Sequence, residues 1–106
     1  MEQLDTKNKY YLFFQNLANP LKIEILSALK QKPLSVQELT KKLNQEQSKI
    51  SHALIALNHY SIVQVEQKGK QRIYSLNKET ISPILKIIDK HEFKYCKYCK
   101  ALQNKK

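Results

Sequence analysis

The sequence predicts a mainly α domain carrying one small β-hairpin, and three local patterns predict it. Ile50, Ala53, Leu54 and Leu57 recur at i, i+3, i+4 and i+7, the spacing of one buried helix face. Just upstream, Val36-Gln-Glu-Leu39-Thr-Lys-Lys-Leu43 is a second, shorter amphipathic stretch, and Asn44-Gln45 makes a brief turn between the two. Downstream, two β-branched stretches flank the single glycine of the chain, the arrangement of a hairpin. Two short helices joined by a tight turn make a helix-turn-helix. With the remaining segments the expectation is a winged helix-turn-helix of five helices and a two-stranded antiparallel wing.

Taken in order, the first helix spans about Lys7 to Leu17. Tyr10, Tyr11, Leu12, Phe13, Phe14 and Leu17 cover more of its circumference than one buried stripe needs. Part of it is expected to pack on its own domain and part on another subunit, the alternative being a helix wholly inside one core. Asn19 then caps a second helix at about Pro20 to Lys30, with Pro20 at its first position and Leu21, Ile25, Leu26 and Leu29 as its stripe. Lys32-Pro33-Leu34 breaks it, and Ser35 with Glu38 three residues on forms a capping box for the third helix. After the fourth helix, Ser61 to Glu66 reads as a strand, Gln67-Lys68-Gly69-Lys70 as the turn and Gln71 to Leu76 as the returning strand. Asn77 to Thr80 opens a last helix, whose Ile81, Ile84, Leu85, Ile87 and Ile88 again occupy more than one face. Over-apolar helices at both ends are explained if they pair across a two-fold axis, so a homodimer through the first and last helices is expected.

At 106 residues the chain is one domain, read as residues 1–93 for DNA binding and dimerisation and 94–106 as a basic C-terminal tail with a CxxC motif. Nineteen Lys and Arg against nine Asp and Glu give a formal charge of +10, for which a polyanion such as double-stranded DNA is the natural counterpart. With one glycine in the chain neither a phosphate-binding P-loop nor a dinucleotide fingerprint can be built. No nucleophile-base-acid order, paired carboxylates or cofactor motif is present, so no enzyme is expected. The N-terminus lacks a basic segment followed by an apolar run, and no apolar stretch reaches the roughly 18 residues of a membrane span. A cytoplasmic protein without membrane contact is the expectation.

On the fourth helix, the face opposite the apolar stripe holds Ser48, Lys49, Ser51, His52, Ile55 and His59. Ser48, Lys49, Ser51 and His52 are expected to read base edges in the major groove. Lys41, Lys42, Lys68, Lys70 and Arg72 are expected to hold phosphates, those of the wing tip beside the major-groove helix.

Asn19-Pro-Leu-Lys-Ile-Glu-Ile-Leu26, Val36-Gln-Glu-Leu39, Gln47-Ser-Lys-Ile-Ser-His-Ala-Leu54-Ile-Ala-Leu57 and Lys68-Gly-Lys-Gln-Arg-Ile-Tyr-Ser-Leu76 follow in an order and spacing that resembles the ArsR family of winged-helix transcriptional repressors. The resemblance spans roughly residues 7 to 90. It implies a homodimeric repressor whose operator affinity responds to a metal ion or another chemical signal. The chain departs from the family's sensor patterns. No Cys-x-Cys stands near Ser35-Val36-Gln37, Asp89-Lys90-His91 matches only the first half of the zinc pattern, and Leu102 stands near where a second histidine is expected. The family's His-Leu in the recognition helix is Ala53-Leu54, with His52 one place earlier.

Cys96 and Cys99 at i and i+3 can converge on one Zn²⁺, with His91 near enough in sequence to add a nitrogen, and two subunits could supply a bridging Cys₄ site. Lys94, Lys97 and Lys100 would lower the thiol pKa values, favouring metal binding and oxidation alike. Zinc, a redox-responsive thiol pair and an inert tail stand as alternatives here. For the chain as a whole the leading expectation is a sequence-specific transcriptional repressor, and its rival is an architectural winged-helix protein with little sequence preference and no sensing.

Overall fold

The computed structural model describes residues 8–94. Among them five helices and three strands follow in the order α1 (Lys9–Leu17), α2 (Pro20–Leu29), β1 (Leu34–Ser35), α3 (Val36–Leu43), α4 (Gln47–His59), β2 (Val63–Lys68), β3 (Gln71–Leu76) and α5 (Ile81–Lys94). None of these helices is long and apolar enough to cross a membrane.

Side-chain caps set the helix starts. Asn8 Oδ1 accepts from the Tyr10 and Tyr11 N–H groups at 2.8 and 3.3 Å. Asn19 Oδ1 accepts from the Lys22 N–H at 3.0 Å, with Pro20 in the first turn. At α3 the expected capping box closes in both directions. Ser35 Oγ accepts from the Glu38 N–H at 3.1 Å, and Glu38 Oε1 accepts from the Ser35 N–H at 2.8 Å.

Left-handed residues set two of the ends. Asn44, at φ +54°, closes α3 and turns the chain toward α4, a conformation that asparagine tolerates better than most residues. At the end of α4, the Ile62 N–H donates to the Leu57 carbonyl at 2.9 Å and the Ser61 N–H to the Asn58 carbonyl at 3.0 Å. These are the two bonds of a Schellman motif, with Ser61 at φ +59° in the place where glycine is usual. Leu57 and Ile62, the pair that such a motif brings together, both belong to the core. Ser61 therefore ends a helix, and the strand expected to begin there begins at Val63 and runs to Lys68.

The expected two-stranded wing is corrected to a three-stranded sheet of order β1-β3-β2. Leu34 pairs with Tyr74 and Ser35 with Ile73, antiparallel. Two residues squeezed between Pro33 and α3, the second of them the cap of that helix, show no alternation. What makes them a strand is the second edge of β3, whose backbone groups would otherwise lack partners. On the other side β2 and β3 pair from Val63 with Leu76 to Lys68 with Gln71, which leaves Gly69-Lys70 as a two-residue loop. Gly69, at φ +63°, holds the first loop position, where a type II′ turn requires a positive φ.

Ile25, Leu26, Leu39, Ile50, Leu54, Leu57, Ile62, Val63 and Ile81 are all but fully buried, so α2, α3, α4, the root of the wing and the first residue of α5 close on one core. The terminal helices do not finish their burial: Tyr10, Phe14, Ile87 and Ile88 remain 64, 61, 66 and 51% exposed.

Replacing Ser61 with glycine removes the steric cost of the left-handed conformation and is expected to stabilise the fold by roughly 0.5–1 kcal/mol. Ser61→Val should destabilise it, since a β-branched residue fits that region worst. Thermal unfolding checks the pair, and a lower midpoint for Ser61→Gly would contradict the assignment.

Candidate nucleic-acid interface

The buried stripe of α4 is Ile50, Ala53, Leu54 and Leu57, as expected, and its burial fixes what the helix turns outward. Ser48, Lys49, His52, Ile55 and His59 are exposed, and Ser51 is half-buried. At about 100° per residue, Ser48, His52, Ile55 and His59 form the crest opposite the core. Gln47 and Ser51 then fall on one flank, Lys49 and Ala56 on the other. Glu46 precedes the helix without a side-chain cap, so the first N–H groups of α4 are claimed by no side chain.

Each flank is one wall of a cleft. On the wing side, Gln37, Glu38, Thr40, Lys41, Gln47 and Gln71 line a hollow of about 340 Å³. It shares Gln37, Gln47 and Gln71 with a neighbouring hollow that adds Lys70 and Arg72. On the opposite side, Lys49, His52, Ala53 and Ala56 face Asn19, Leu21 and Lys22 across a cleft of about 310 Å³.

Residues that stand together in the sequence are thereby separated. Of the five basic residues expected at phosphates, Lys41, Lys70 and Arg72 line the wing-side hollows. Lys42, one residue from Lys41, lines a different cleft with Ile23, Glu24 and Gln31. Lys68 reaches the Glu66 carboxylate at 3.9 Å on the wing, where both side chains are mostly exposed and the pair is worth little. Of the four expected base readers, Ser48 and His52 stand on the crest, Ser51 at its wing-side edge and Lys49 on the flank toward α2.

His91 is exposed in the last turn of α5, and Asp89 one residue before Lys90 accepts from Lys30 Nζ at 2.6 Å. Cys96 and Cys99 lie outside the described residues. Among the described residues no group of three or more His, Cys, Asp or Glu is gathered to hold a metal. Sequence reasoning missed Gln37, Gln47 and Gln71, which line the hollows between α3, α4 and the wing. The available signal was Gln47 as the first residue of α4 and Gln71 as the first after the turn.

Residues 19–65, from the cap of α2 into β2, match the family described as bacterial regulatory protein, arsR family. The chain is 34% identical over 71 residues to the HTH-type transcriptional regulator NmtR of Mycobacterium tuberculosis, covering 67% of this chain and 59% of NmtR. It is 32% identical over 73 residues to the transcriptional repressor SmtB homolog of Synechocystis sp., covering 69% and 55%. The chain thus spans less than two thirds of the length of either curated relative. Among solved structures, that of Rv0081 from M. tuberculosis superposes with a TM-score of 0.71 at 30% identity, covering 79% of this chain and 89% of that one.

Glu38 is the acid lining the wing-side hollow. The Ser35 backbone N–H, first, and the Ser35 hydroxyl and Lys32 after it hold its carboxyl below the usual glutamate range, against an opposing desolvation. A carboxylate with a lowered pKa in the folded state stabilises the fold fully above its unfolded value, and that contribution is lost as pH falls through the folded value. Glu38→Gln keeps a capping amide and removes the titration. Its stability should therefore decline less than that of the native chain on acidification below the ordinary glutamate range, as read by denaturant unfolding at a series of pH values. Parallel declines would show that the capping charge is not coupled to folding.

Proposed function

We propose that this chain, a member of the arsR family of bacterial regulatory proteins by the match of residues 19–65 and the identity to NmtR, is a homodimeric, sequence-specific DNA-binding repressor. The observation that carries the proposal is the crest of α4, which keeps Ser48 and His52 in solvent because Ile50, Leu54 and Leu57 hold the opposite face in the core. A helix seated this way fits the major groove, where hydroxyl, imidazole and amide groups discriminate base edges. Ser48, Lys49, Ser51 and His52 are the proposed readers. Lys41, Lys70 and Arg72, with Lys68 and Lys42 farther out, are the proposed phosphate contacts, which set register without carrying sequence information.

Dimerisation would supply two such crests for two half-sites about one helical turn apart. Its support is the apolar surface of the terminal helices. Tyr10, Phe13 and Phe14 of α1 line a groove of about 400 Å³ with Thr80 and Ile84, walled almost wholly by apolar atoms. Exposed Ile87 and Ile88 supply a matching face on α5. Burying them against a second copy removes large apolar side chains from water at about 25 cal/mol per Å². A repressor of this kind acts by occupying its operator.

Zinc or thiol oxidation at Cys96 and Cys99 is the proposed input to this regulator, supported by their i, i+3 spacing and by His91 upstream. Zinc content of protein purified under reducing conditions, compared with Cys96→Ser/Cys99→Ser, tests it. A metal-free native chain whose DNA affinity is also indifferent to oxidant would exclude both inputs.

Selection from a random duplex pool should return a palindromic consensus, whereas enrichment without consensus would favour the architectural rival. On that consensus His52→Ala should lose roughly 1–3 kcal/mol of affinity while random duplex binding stays level. Equal losses on both would remove His52 as a base reader. Phe14→Asp should yield monomers in light scattering, and an unchanged dimer mass would place the interface elsewhere.

A further inference from the structure

The cleft between α4 and the start of α2 holds Lys49 and His52 beside α2 residues to which no role in DNA binding is given above, and its chemistry is specific. Asn19, Lys22, Lys49 and His52 supply its polar lining, and among the described residues no acidic side chain lines it. Neither Lys22 nor Lys49 has a carboxylate within ion-pair distance among the described residues. Lys22 Nζ instead donates to Asn16 Oδ1 at 2.6 Å. Asn16 is 8% exposed on the last turn of α1, and its Nδ2 is buried with no acceptor among the described residues. An unmet buried amide donor carries a desolvation cost, so this asparagine is an expensive choice for packing alone. It has one consequence that a carboxylate would lack: it orients an ammonium and leaves its charge uncancelled.

We propose that Lys22, positioned by Asn16, and Lys49 form a phosphate clamp for the DNA strand on the side of α4 opposite the wing. The proposal rests on the DNA-binding reading above. A helix lying in the major groove has a sugar-phosphate backbone on each side. Lys41, Lys70 and Arg72 stand on the Gln47 flank of α4 and Lys22 and Lys49 on the Ala56 flank, so the two cation groups bracket the crest as the two backbones bracket the groove. Lys49, named above among the base readers, is thereby reassigned: from this flank it acts at a phosphate rather than at a base. Asn16 is a positioning residue, since it acts through Lys22.

Salt titration of the full chain on random duplex tests the clamp, with Lys22→Gln, Lys22→Arg, Asn16→Asp and Lys70→Gln beside the native protein. Loss of one phosphate contact lowers the slope of log affinity against log salt by about 0.9, and a symmetric dimer loses about twice that. Lys22→Gln should show this drop, and Asn16→Asp should show it with Lys22 intact, because the new carboxylate pairs with the ammonium. Lys22→Arg should keep the native slope. Native slopes for both Lys22→Gln and Asn16→Asp, with a lowered slope for Lys70→Gln, would overturn the clamp and leave DNA binding standing. A native protein with no salt-dependent duplex binding would overturn the underlying reading instead. Should Lys22→Gln fail to fold, the Asn16→Asp slope alone decides: a drop supports the clamp and a native slope overturns it.

Discussion

Ser35 is the joint on which the architecture turns. Its backbone belongs to β1 and lies opposite Ile73 of β3, while its side chain and N–H form the reciprocal cap of α3 with Glu38. One buried residue thus fastens the sheet to the first helix of the helix-turn-helix. The orientation of the wing relative to α4 follows, because β3 carries the hairpin on one edge and β1 on the other. Without that joint the hairpin would be a two-stranded ribbon of marginal stability, with its cations at no fixed distance from α4.

The second constraint is electrostatic. A chain of formal charge +10 could neutralise itself locally by ion pairs, yet among the described residues just two are formed, Lys30 with Asp89 and Lys68 with Glu66. Glu38, the acid lining the wing-side hollow, is engaged by the cap of α3. Cations on both flanks of α4 therefore keep their charge for a polyanion, while the crest between them carries shorter and mostly uncharged groups. That division suits a duplex, where backbone contacts supply affinity and base edges supply discrimination. It also explains why neighbours in sequence differ in place: Lys41 and Lys42 lie about 100° apart around α3 and so open onto different clefts.

The terminal helices answer to a third constraint, the surface available to a small domain. A core built from α2, α3, α4 and the wing root leaves too little area to cover aromatic residues on several sides of α1, and the exposed faces of α1 and α5 are the remainder. Their apolar excess reads as an unfinished interface rather than as poor folding, because the residues that do face the core, Phe13, Leu17 and Leu85, are partly buried there.

Most of the fold was legible in the chain because its signals are local. The Ser35–Glu38 box, the Asn19-Pro20 start, the Ile50-Ala53-Leu54-Leu57 stripe and the positive φ at Gly69 each depend on residues within one or two turns of each other, so the amino-acid order by itself determined them, together with the outward face of α4. Tertiary structure alone decided the rest. Strand β1 exists because β3 had an edge to satisfy 38 residues later, where Ile73 lies opposite Ser35, a partner no local pattern specifies. Ser61 ends α4 in a glycine conformation because Leu57 and Ile62 are both drawn into the core. Asn16 meets Lys22 only across the α1–α2 turn, and the flanks of α4 acquire their clefts only when α2 and the wing are packed beside it. Short-range hydrogen bonding and periodicity are written into the sequence, whereas which distant surfaces meet is set by how a single core closes.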